Sequence, residues 1–113
     1  MYKVRFSLIL VSALLVNTVC LASDFEKEKR WSEQIVDSLL DGEAHYLNDG
    51  KNDFLSLVTE SEEESELGAI VIHGTGVHPN WVDVIQPLRV GLTENGWHTI
   101  SIQMPVLQNN AIH

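Results

Sequence analysis

A single cysteine, Cys20, and only seven Lys and Arg against sixteen Asp and Glu are the scarcities that most constrain this chain of 113 residues. With one thiol no disulfide can form within the chain, so the fold must rest on packing alone. The shortage of basic side chains leaves a formal net charge of −9. It excludes the Lys/Arg patch that phosphate neutralisation requires, and with it nucleic acid as a partner. The acidic excess serves solubility. No apolar run is long enough for a stable membrane span of roughly 18–20 residues, because Asn17 and Thr18 interrupt the stretch from Phe6 to Val19. There is no Gly-Lys-Ser/Thr, which excludes a nucleotide P-loop. Gly74-Thr-Gly76 lacks both the third glycine and the directly following helix of a dinucleotide fingerprint.

The N-terminus has the order of a secretory signal. Met1-Tyr-Lys-Val-Arg5 is a positive n-region, Phe6 to Val19 an apolar h-region, and Cys20-Leu-Ala22 places small residues where a signal peptidase reads. Residues 1–22 are therefore expected to be a signal peptide cut after Ala22, residues 23–113 one partial domain, and the product exported, to the periplasm. Cleavage removes the only cysteine together with Lys3 and Arg5. Five basic residues then stand against sixteen acidic ones, a net charge of −11. A domain of this size buries a modest fraction of its surface, roughly 60–65%.

Ser23 or Asp24 can cap a helix from Phe25 to Leu40, with Trp31, Ile35, Val36 and Leu39 on one face and Asp41-Gly42 as its stop. Ala44 to Asn48 and Asp53 to Val58 flank the turn-forming Asn48-Asp-Gly-Lys-Asn52, the composition of a β-hairpin. The acidic run Thr59 to Glu66 reads as an exposed loop and lacks the glycine-hinged pattern of a calcium site. Ala69-Ile-Val-Ile72 is a short β-branched run, the pattern of a strand buried on both faces. Two glycines follow, Gly74 and Gly76, which permit a sharp turn that points backbone N–H groups into one concavity. A helix starting near Gln86, with Pro87 at its first helical position and running through Leu88, Val90 and Leu92, stops at Asn95-Gly96. Trp97 to Met104 then alternates as a strand. Strand, helix and strand within this span make a βαβ unit, so the fold class is α/β.

Ile72-His-Gly-Thr-Gly-Val-His-Pro-Asn-Trp81, with Pro87-Leu-Arg89, Gly96-Trp97, Ser101-Ile-Gln-Met-Pro105 and, upstream, Arg30-Trp31 and Asp41-Gly42-Glu43, resembles an uncharacterised family of exported bacterial proteins within the α/β-hydrolase superfamily. The resemblance implies that Ala69–His73 is the third strand of a hydrolase sheet, 87–95 its first helix and 98–104 its fourth strand. The chain would then be the N-terminal portion of that fold, with the sheet incomplete. It further implies that His73, Gly74, Thr75 and Gly76 form an oxyanion-hole loop, with a backbone N–H of Thr75 or Gly76 facing the developing charge. The same superfamily places its nucleophile in a Gly-x-Ser-x-Gly elbow, and no such motif occurs in these residues.

Two readings follow. In one, this is a truncated hydrolase-like protein, inactive alone, whose full-length relatives hydrolyse acyl or ester bonds. In the other, it is a non-enzymatic periplasmic binding or envelope-maintenance module on a hydrolase scaffold. No catalytic residue is assigned in either case. His73 and His78 are too few for a zinc site, so neither metal nor cofactor is expected. His78, Pro79 and Trp81 are read as residues that shape the loop, and Ser101 as a strand residue rather than a nucleophile. The partner is an unknown small molecule or none. An unpaired edge of the central strand is expected to favour self-association.

Overall fold

A computed structural model describes residues 24–107; the signal-peptide assignment and Cys20 fall outside that range. Helix α1, Phe25–Ser38, begins where Asp24 accepts a hydrogen bond from the Lys27 N–H at 3.0 Å. Its buried stripe is Ser32 and Ile35. Val36, expected on that face, is exposed, and the helix ends two residues before Leu40 with Leu39 already extended. The chain then reverses at Gly42, where φ is +86° and a Cβ would meet Thr59 Oγ1 at 2.5 Å and the Val58 carbonyl at 2.7 Å. Only glycine fits there.

Strands β1 (Glu43–Asn48) and β2 (Asp53–Thr59) form the hairpin, in antiparallel register from Asn48 opposite Asp53 to Glu43 opposite Val58. Strand β3 is Gly68–Ile72, helix α2 Ile85–Glu94 and strand β4 His98–Ile102. The sheet order is β1-β2-β4-β3, with β4 antiparallel to β2 and parallel to β3. The mixed α/β class is therefore observed. The expected two-sided burial of β3 is not: Val71 is buried, but Ile70 and Ile72 on the opposite face are 65% and 61% exposed. A β-branched run favours the strand; only a second packed layer would bury both its faces, and no described element supplies one.

Alternation explains which face is covered. Leu55, Leu57 and Thr59 of β2 share one face, and the register places Thr99 and Ser101 of β4 beside them. Ile35 of α1 packs on Leu55 and Leu57. The same face receives α2, because Arg89 bonds Thr59 and Thr99 bonds the Arg89 carbonyl. Both helices thus lie on one side.

The layer under α2 is polar. Its buried stripe is Ile85, Arg89 and Thr93, spaced by four, while the expected Leu88 is 45% exposed. Arg89 is fully buried and donates to Asn80 Oδ1 through Nε (3.1 Å) and Nη2 (2.7 Å), and through Nη1 to the Asp41 carbonyl (2.9 Å) and Thr59 Oγ1 (3.0 Å). Burial lowers its pKa, and the negative charge of Asp41 partly offsets this. Pro87 sits at the third helical position, not the first; its missing N–H is still among the four that a helix cannot satisfy internally. The helix ends with the Trp97 N–H on the Leu92 carbonyl, the six-to-one bond of a Schellman turn.

The acidic segment exposes Glu60, Glu62, Glu63, Glu64 and Glu66, yet its backbone is docked. The Glu62 N–H reaches the Thr93 carbonyl, and His98 accepts from the Ser61 N–H on Nδ1 while its Nε2 contacts the Ser65 carbonyl at 2.8 Å. Thr59, grouped with that run in the sequence, is a buried β2 residue.

Arg89→Met should destabilise the fold by about 3–5 kcal/mol, because it removes four hydrogen bonds of a buried side chain at once, one of them to the buried Thr59. Ser101→Ala, which removes a single buried donor, should cost about 1–3 kcal/mol. Urea denaturation of both variants checks the order; a smaller loss for Arg89→Met than for Ser101→Ala would refute the hub assignment.

Candidate functional site

The site is built where β3 ends. His73 is 7% exposed, and both of its ring nitrogens are engaged. Nδ1 lies 2.8 Å from the Gly74 carbonyl, and the Met104 N–H donates to Nε2 at 2.9 Å. A carbonyl can only accept and an N–H can only donate, so the ring carries its proton on Nδ1. No lone pair remains for a metal. His73 is a clamp joining the start of the loop to the segment after β4.

The next three residues are exposed, and among the described residues none accepts a hydrogen bond from the N–H groups of Gly74, Thr75 or Gly76. Gly76 has φ +82°, the left-handed conformation that favours glycine. Gly74 does not, and a Cβ built on it meets nothing within 4 Å. The expectation that both glycines serve the turn therefore holds for Gly76 alone.

The far side of the loop is fixed by His78, whose Nδ1 accepts from the Asn80 N–H at 3.2 Å and whose carbonyl accepts from the Trp81 N–H at 3.1 Å. Its ring meets Trp31 edge-on at 5.4 Å and Trp81 at 5.0 Å, with Lys27 Nζ 4.7 Å from the Trp31 ring centre. Pro79 is fully buried and its carbonyl accepts from Ser101 Oγ at 2.7 Å. Ser101 is thus buried and committed as a donor, with no access to a substrate. Sequence reasoning missed this tie, as it missed Arg89 and Asn80, whose contact spans nine residues and holds the loop to α2.

A cavity of about 430 Å³ opens beside the loop, lined by Lys27, His73, Gly74, Thr75, Gly76 and residues Met104 to Leu107. Its outer wall is tied to α1, where Glu28 Oε1 accepts from the Val106 N–H at 2.6 Å. Burial raises the Glu28 pKa above its ordinary value, with a further rise from Asp24, and the Val106 bond opposes both. The lining contains one cation, Lys27, and no carboxylate. Among the described residues no group of three or more His, Cys, Asp or Glu could hold a metal. The arrangement offers an electron-rich atom a lysine and N–H groups that have no acceptor among the described residues.

Burial, with a smaller contribution from His73, lowers the His78 pKa below its ordinary 6.5. As pH falls the unfolded chain takes up this proton before the folded one does. The contribution of neutral His78 is therefore complete above pH 6.5 and is lost as pH falls from there through the depressed folded pKa. Stability measured against pH should decline over that window in the wild type and decline less in His78→Phe. An equal decline in both would show that His78 does not carry it.

No curated protein and no solved structure matches the chain. Residues 21–113 match a family described as Protein of unknown function (DUF3530), which spans the helix, the hairpin and the whole glycine loop. The chain is a member of that family.

Proposed function

We propose that the glycine loop is the electrophilic half of an acyl-transfer site, in an exported protein of α/β-hydrolase type whose reaction is hydrolysis of an ester or similar acyl bond. The observation that carries this reading is the set of N–H groups at Gly74, Thr75 and Gly76 that have no acceptor among the described residues, held by His73 and His78 at the mouth of a cavity. Donors fixed before the reaction stabilise a developing oxyanion without reorganising, which is what such a site requires.

Two further features support it. The strand that delivers the loop lies next to β4 and parallel to it, with α2 between them in sequence, the neighbourhood the resemblance implies for third and fourth strands. Gly74 has room for a side chain, so folding does not explain a glycine there, whereas close approach of a ligand would. The 113 residues contain no Gly-x-Ser-x-Gly. By itself the chain binds and does not turn over.

Methylphosphonate, a tetrahedral anion, should shift the amide resonances of Thr75 and Gly76 saturably. Gly74→Ala should leave urea stability within about 0.5 kcal/mol of wild type while weakening that binding severalfold. Hydrolysis of short acyl esters by the purified chain should stay at the uncatalysed rate. Absence of any saturable shift would sink the site, and turnover abolished by one substitution here would show that the chain carries its own nucleophile. Export has a separate check: intact mass of the secreted product should correspond to loss of residues 1–22.

A further inference from the structure

The first turn of α1 brings a lysine to the place where the site loop opens. Lys27 is half-buried and lines the same cavity of about 430 Å³ as Gly74, Thr75 and Gly76. It is the one charged residue of that lining, in a chain with sixteen acidic side chains against seven basic ones. The neighbouring carboxylates are committed elsewhere: Asp24 accepts from the Lys27 backbone N–H at 3.0 Å and Glu28 from the Val106 N–H at 2.6 Å.

The charge is positioned but not neutralised. Lys27 Nζ lies 4.7 Å from the Trp31 ring centre, and among the described residues no carboxylate pairs with it, whereas Lys29 has Glu33 at 4.0 Å. An aromatic face attracts an ammonium without cancelling its charge. Trp31 in turn meets His78 edge-on at 5.4 Å, and His78 accepts from the Asn80 N–H where the loop closes. Lysine and loop are therefore held in one framework. The wall beside them, Met104 to Leu107, is apolar in its side chains.

We propose that this cavity takes a carboxylate-bearing ester: the carboxylate pairs with Lys27, an apolar spacer lies along Met104, Val106 and Leu107, and the scissile carbonyl faces the loop. The inference rests on the reading of the loop as an acyl site and makes Lys27 its specificity-determining residue. A carboxylate carries one negative charge and one lysine answers it. A phosphate group carries nearly two, with three strong acceptor oxygens, and the lining offers no second cation. An uncharged ester would displace water from the ammonium and return nothing for it.

Two probes of similar length separate this inference from the reading beneath it. Butylphosphonate presents a tetrahedral anion with an apolar tail, and carboxypropylphosphonate ends that tail in a carboxylate. Both should shift the amide resonances of Thr75 and Gly76 saturably in the wild type, the carboxylate probe with a Kd roughly five- to tenfold lower. Lys27→Met keeps the helix cap, which uses the backbone N–H, and should abolish the preference while leaving butylphosphonate binding unchanged. Lys27→Arg should retain the preference. Equal affinity of the two probes in the wild type, or a preference that survives Lys27→Met, overturns the inference, while the shifts themselves uphold the loop. Weakening of both probes alike by Lys27→Met overturns it as well, by placing the lysine on the oxyanion instead. Absence of any shift with either probe removes the loop reading and this inference with it.

Discussion

The buried guanidinium of Arg89 is the constraint on which the arrangement of the parts depends. A cation without access to water is tolerated only when its donors find acceptors, and the acceptors here come from three other segments of the chain: the turn after α1, the end of β2 and the loop after β3. Each must be in place for the others to be useful. The hydrophobic cluster of Ile35, Leu55 and Leu57 fixes α1 on the sheet, but it includes no residue of α2 and so does not position it. Arg89 does that, and its bond to Asn80 draws the site loop to the same helix.

A second row of polar contacts extends the logic along β4. Thr99 donates to the Arg89 carbonyl, Ser101 to the Pro79 carbonyl and Gln103 to the Glu28 carbonyl, so two inward positions of β4 and the residue just past its end address α2, the loop and α1 in turn. Such bonds contribute little net energy each, but leaving any carbonyl unsatisfied in this layer is costly. The result is directional specificity from a core with few large apolar side chains. Met104, just beyond the strand, completes the row through His73.

Local chemistry was legible in the sequence and distant chemistry was not. Asp24 as cap, the turn between Asn48 and Asp53, and the stop at Asn95-Gly96 act over a few residues, and their composition sufficed. His78 shaping the turn at Asn80 is equally local. The partners of Arg89, 30 and 48 residues away in sequence, leave no periodic trace. A charged residue among apolar ones reads as solvent-facing, and this one is the centre of the layer. Ser32 in place of Val36 on the buried stripe of α1 has the same origin: its hydroxyl bonds the Lys29 carbonyl, so a small polar side chain is buried at little cost. The exposure of Ile70 and Ile72 is a different failure. Residue type gives the strand, while coverage depends on neighbours that residue type does not name.

The two glycines of the loop separate folding from function more sharply than any other pair in the chain. Gly76 answers a backbone demand, since its φ of +82° strains any residue with a Cβ. Gly74 answers none: its conformation is ordinary and the space in front of it is open. Open space beside donors that have no acceptor among the described residues, at the lip of a cavity whose one charge is the positive Lys27, is a poor arrangement for stability and a suitable one for receiving an electron-rich atom. Water can occupy such a place in the meantime, so the donors cost the fold nothing while they wait. On the proposed reading, the polar framework from Arg89 to Ser101 has a purpose beyond holding elements together. It ties a short exposed turn at both ends, which on that reading would set the direction of its N–H groups before any ligand arrives.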